Sequence, residues 1–108
     1  MIYSIDQIKR IISPIAQKYH IPAVYLFGSY ARGTASETSD LDFLIDTTGT
    51  ELTSLMKLGA LYIDIEAAFG KPIDLITISS IEQAPQKPSD LSFRQSVLKE
   101  RVCLYAVA

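Results

Sequence analysis

The sequence is short of the residues that several common chemistries need. It has one cysteine, Cys103, and one histidine, His20, in 108 residues. A single cysteine permits no internal disulfide, which suits a reducing cytosol, so the expected location is cytoplasmic. One Cys and one His do not make a zinc centre, and hard carboxylates prefer Mg2+. Ser29 has no histidine base in a recognisable arrangement, which disfavours a hydrolase triad. Gly28 to Thr34 has the spacing of a phosphate loop, but the lysine that should precede Thr34 is missing, so a P-loop ATPase is disfavoured. The net charge is −2, from 10 basic and 12 acidic residues, which gives no basic footprint for direct nucleic-acid binding. No apolar run is long enough to cross a membrane, and no leader segment is visible. No internal repeat or linker appears, so residues 1–108 read as a single domain.

Hydrophobic residues make up 48% of the chain against 20% charged, the balance of a compact globule. The stretch from Gly28 to Asp46 is the densest in chemistry. Leu41, Phe43, Leu44 and Ile45 are strand formers, and 41–46 reads as a buried strand. Side chains on a strand repeat every two residues, so Asp40 and Asp42 leave by one face, with Cα atoms roughly 6.6 Å apart. Two carboxylates at that spacing are costly unless cations neutralise them, and they suit a two-metal phosphoryl-transfer site. Upstream, Ala23–Phe27 reads as a second strand ending at Gly28, where the backbone turns sharply. Ser29 is an N-cap type, and Tyr30, Ala31 and Arg32 read as a helical turn before Gly33. Amides at such a start suit an anion such as a triphosphate, and Arg32 adds a positive charge.

The rest of the chain reads as elements around this stretch. Residues 1–19 have helical periodicity, with Ser4 and Gln7 forming a capping box. Pro14 is expected to kink that helix or split it near Ser13. His20-Ile21-Pro22 reads as a connector with an exposed histidine. Residues 52–69 carry an apolar stripe of Leu52, Leu55, Met56, Leu58, Tyr62, Ile65 and Phe69, capped by Thr50 or Thr53 and stopped by Gly70. Within it, Asp64 and Glu66 alternate with isoleucines as in a strand, but helical length and period place them on a solvated face. Residues 73–78 read as a strand after Pro72, with Asp74 its one charge. Sequential strands are usually neighbours, which would set Asp74 beside Asp40 and Asp42. Residues 79–89 read as a loop with a turn of helix at most. Ser89 or Asp90 caps a helix from Leu91 to about Glu100, and 102–106 reads as an edge strand. Cys103 lies in that apolar run and reads as a small core residue. The order α-β-α-β-α-β-α implies a small sheet flanked by helices, α/β or α+β.

Gly28-Ser29, ten residues, and then Asp40-Leu41-Asp42 resemble the signature of the polymerase-β-like nucleotidyltransferase superfamily. The wider wording LFGSYARGTASETSDLDFLID is similar to the minimal nucleotidyltransferase (MNT) domains, many of which are antitoxins paired with a HEPN-domain toxin. The resemblance covers about residues 4–106, with Phe43 where Leu is common. It implies a mixed sheet, with Asp74 as a third carboxylate. It also implies a Mg2+-dependent site of Asp40, Asp42 and Asp74, two ions, and a nucleotide held by Gly28, Ser29 and Arg32. The implied reaction moves AMP from ATP to a tyrosine hydroxyl of a HEPN RNase, which is thereby silenced. For Arg32, a surface role stays open beside that of steadying the departing charge. Two other functions stay open as well: a contact-only binding module with a vestigial site, and a nucleotidyltransferase for a small molecule. The oligomeric state, homo- or hetero-, is not readable.

Overall fold

A computed structural model describes residues 2–52, 54–81 and 88–107. The first helix, α1 (Ile5–Lys18), is capped as its sequence dictates. The Ser4 hydroxyl accepts from the Gln7 amide, and the Gln7 side chain accepts from the Ser4 amide. Of the kink or split expected at Pro14, the split does not occur, since the helix runs from Ile5 to Lys18 with Pro14 inside it. Pro14 is exposed, so the Arg10 carbonyl it leaves without a partner lies on the wet side of the helix, where water can serve it. Ser13 donates its hydroxyl to the Lys9 carbonyl at 2.6 Å, one turn back.

Four strands form one mixed sheet: β1 (Ala23–Phe27), β2 (Leu41–Asp46), β3 (Ile73–Thr77) and β4 (Val102–Ala106), in the order β3-β2-β1-β4. β1 runs antiparallel to both β2 and β4, and β2 runs parallel to β3. The parallel pair needs a crossover, supplied by α3 (Leu55–Phe69). Alternation along each strand divides the sheet into two faces. Val24, Leu26, Leu41, Phe43, Ile45, Ile73 and Leu104 pack with Ile8, Ile12 and Ala16 of α1 and with Leu61, Ile65 and Phe69 of α3. Phe27 and Leu44 point the other way and meet Val97 of α5 (Pro88–Glu100). Among the described residues, Ile78 just after β3 also packs on this second face, and a cleft lies beside α5.

Several expectations need correction. The cap of α3 is Ser54, whose hydroxyl accepts from the Lys57 amide at 3.2 Å. Thr50 instead closes its own turn by donating to the Thr47 carbonyl, and Thr53 lies outside the described residues. The helix therefore starts at Leu55 rather than at 52. Leu55 and Met56, in its first turn, are 89% and 87% exposed. Gly70 does stop the helix, in the left-handed conformation. Asp64 is not simply solvated: it accepts from Tyr19 and pairs with Lys18 at 3.1 Å, tying α3 to α1. The Tyr19 hydroxyl is pushed up to about 12, first by that hydrogen bond. Helix α5 is described from Pro88, so Ser89 and Asp90 lie within its span rather than before it. Proline suits a first helical position, where its missing N–H costs nothing. The short α4 (Ile78–Ile81) follows β3 directly. Cys103 is exposed, since β4 is an edge strand that turns Leu104, not Cys103, to the core.

Candidate functional site

Alternation along β2 turns Leu41, Phe43 and Ile45 into the core under α1 and α3, so Asp42 emerges on the α5 face. In the parallel pairing with β3, Asp42 stands opposite Asp74. Neighbouring strands lie about 4.8 Å apart, so the two carboxyl groups leave the sheet side by side. In the antiparallel pairing with β1, Asp42 stands opposite Phe27, the residue before Gly28. Gly28 has φ +75°, and a Cβ there would stand 2.1 Å from Asp42 Oδ2. The absent side chain at 28 is thus the space the Asp42 carboxylate occupies.

Asp40 lies just before β2 and is exposed, and its charge is felt at Asp42. Asp42 is half-buried, and its carboxyl is raised from 3.8 to about 6. Burial is the largest cause, followed by the hydrogen bond with Asp74 and repulsion from Asp74 and Asp40, while Arg32 pulls the other way. Among the described residues, no three acidic, His or Cys side chains are already gathered around one point. The donor set is nonetheless that of a hard divalent cation. Asp42 and Asp74 are oxygen donors crowded together, with Asp40 adjacent, and their mutual repulsion is what a cation relieves.

Gly28 opens a five-residue helix, α2 (Gly28–Arg32), closed by Gly33 in the left-handed conformation. Its N-cap is Phe27, with no side-chain cap, so Ser29 sits in the first turn rather than capping it. Arg32 Nη1 meets Glu100 Oε2 of α5 at 3.0 Å. Tyr30 is buried, and its hydroxyl accepts from Lys71 Nζ at 3.0 Å, which fastens α2 to the residue pair before β3. Gly28, Arg32, Asp42, Asp74 and Glu100 line one cleft of about 400 Å3 together with Phe27, Ile76, Phe93 and Val97. His20 is exposed and is not among the residues lining this cleft.

The structure therefore brings together Gly28, Arg32, Asp42 and Asp74, with Ser29 and Asp40 flanking them. Sequence reasoning missed Glu100 and Phe93. Both come from α5, far along the chain, and no local spacing marks them; only the docking of α5 on the second face brings them in.

The nucleotidyltransferase domain family model matches residues 5–104. A Methanocaldococcus jannaschii protein provisionally named a protein adenylyltransferase is 41% identical over 78 residues, covering 72% of this chain and 82% of the relative. The protein adenylyltransferase MntA of Thermococcus cleftensis is 36% identical over 73 residues, 68% of this chain and 72% of its own. A crystal structure described as a toxin-antitoxin with AMP-PNP aligns with a TM-score of 0.69 at 21% identity, over 92% of this chain and 73% of that one. A structure described as a tri-AMPylated Shewanella oneidensis HEPN toxin in complex with its MNT antitoxin aligns at 0.58 and 18% identity, over 95% and 70%. These two structural likenesses show a shared fold.

Proposed function

The chain belongs to the nucleotidyltransferase domain family, and on that premise we propose that it transfers AMP from ATP to a hydroxyl group of a partner protein. The proposed partner is a cytoplasmic HEPN-domain toxin, silenced by the modification, so that the chain is its antitoxin. The protein adenylyltransferases among its relatives support the reaction class. The toxin bound to an MNT antitoxin in a structural neighbour supports the partner. The observation that carries the reading is the register of Asp42 against Asp74 beside Gly28.

Asp42 and Asp74, with Asp40 adjacent, would hold Mg2+, in the two-ion form that phosphoryl-transfer sites use. Bound there, a metal ion would supply positive charge against the phosphates. The amides of Gly28 and Ser29 and the Ser29 hydroxyl bind the β- and γ-phosphates. Gly28 lets these groups lie against Asp42 without a Cβ between them. Asp74 takes the proton of the incoming hydroxyl. The hydroxyl oxygen bonds to the α-phosphorus in line, the bond from that phosphorus to the α–β bridging oxygen breaks, and pyrophosphate leaves. Arg32 steadies the charge developing on the pyrophosphate.

Incubation with Mg2+, the HEPN partner and ATP labelled at either the α- or the γ-phosphate tests this. The α label is expected on the partner and the γ label is not. Tight association without label would mean silencing by contact alone, and label on a small molecule would move the acceptor class.

A further inference from the structure

The residues lining the cleft beside Asp42 divide by chemistry into two halves, one charged and one apolar. One holds Gly28, Arg32, Asp42, Asp74 and Glu100; the other is built from Phe27, Ile76, Phe93 and Val97, with Ser96 at its side. The charged half suits a triphosphate and cations. The apolar half has no role in the chemistry above. Phe27, Ile76 and Val97 belong to the small core between the sheet and α5. Phe93 does not, since it remains 49% exposed. Its ring meets Phe27 edge to face, with centroids 6.2 Å apart and planes at 88°, which fixes its orientation at the cleft wall.

We infer that Phe93 is the stacking platform for the nucleotide base, and so a binding residue of the transfer reaction. The inference rests on the adenylyltransferase reading and adds to it the seat of the base. A cleft of about 400 Å3 has the volume of a small-ligand site. With phosphates at Gly28, the rest of the ligand has the remaining lining of the cleft to lie on, and that lining includes the anchored ring of Phe93. Among the described residues, Ser96 is the one hydrogen-bonding side chain in the apolar part of the lining, so what Phe93 offers the base is stacking rather than a donor–acceptor pattern. The helix that carries Phe93 also carries Glu100, the partner of Arg32, so α5 contributes to both halves of the cleft.

Calorimetric titration with ATP, GTP and inorganic tripolyphosphate, each with Mg2+, tests this on the wild type and on Phe93→Ala, Phe93→Leu and Phe93→Tyr. Removing one stacking ring weakens base binding by about tenfold. Phe93→Ala and Phe93→Leu are expected to lose that factor for ATP and for GTP but not for tripolyphosphate, and Phe93→Tyr to retain it. Phe93→Leu keeps apolar contact with Phe27, so a loss there is not a folding defect. Equal ATP binding in all four proteins would overturn the platform. If α-label still reached the HEPN partner in that case, the transferase reading would stand alone. No binding of either nucleotide to the wild type would overturn both.

Discussion

Asp42 carries a charge that the fold makes costly and the proposed reaction needs. In the folded chain its carboxyl rises from 3.8 to about 6, mainly through burial and the Asp74 hydrogen bond. The folded state thus holds this proton more tightly than the unfolded chain does. The stability this gives is complete below pH 3.8 and is lost as pH climbs through about 6. Because Asp42 is only half-buried, solvent screening reduces the effect to about 1 kcal/mol. With a chelator present, the urea midpoint is expected to fall between pH 4 and pH 6.5, and the fall to be smaller in Asp42→Asn. Gly28 offers a second test at one position. Gly28→Ala places a methyl where Asp42 Oδ2 lies, in a backbone conformation that alanine resists. Gly49→Ala is the control, since its φ is +74° but nothing lies within 4 Å. Both variants are expected to lose about 1 kcal/mol from backbone strain. Only Gly28→Ala should lose more than that and lose AMP transfer as well, which denaturation and labelling assays can measure.

Helix α1 shows what pattern reading does well and where it fails. The capping box and the burial of Ile8 and Ile12 follow directly from spacing, while Ala16 joins that face only in the structure. The expected break at Pro14 did not occur, because packing of that face against the sheet and α3 outweighs one lost hydrogen bond on the exposed side. Pro14→Ala is therefore expected to raise stability by about 2 kcal/mol, the helix gain less the added freedom of the unfolded chain. An unchanged or lower urea midpoint would contradict this account of the helix. The start of α3 was misplaced for a related reason. Leu55 and Met56 fit a helical stripe, yet no element of the described fold covers them. The Arg32–Glu100 pair links α2 to α5 across the cleft mouth but is partly exposed. Glu100→Gln should consequently cost less than about 1 kcal/mol in stability.

The two-faced sheet gathers the site from segments far apart in the chain. Part of this was legible: strand alternation separates Asp42 from Phe43, and the expected neighbouring strand carries Asp74, though its parallel direction is seen only in the structure. The antiparallel pairing of β1 with β2, which seats Gly28 under Asp42, was not written in any local pattern. Neither was the placement of α5, which brings Phe93 and Glu100 to the cleft. Strand order and helix docking depend on which apolar faces meet, and short-range periodicity does not encode that. The exposure of Cys103 was missed likewise, because an apolar run on an edge strand looks the same as one in the middle of a sheet. The most direct measurement is the rate at which α-labelled AMP appears on the HEPN partner with wild type, Asp42→Asn and Asp74→Asn at saturating ATP and Mg2+, with folding of each variant verified. The proposed site predicts a drop of at least about 100-fold for each substitution, as expected when a positioned acid–base or charge-stabilising group is removed. Transfer at near wild-type rate by either variant would contradict it.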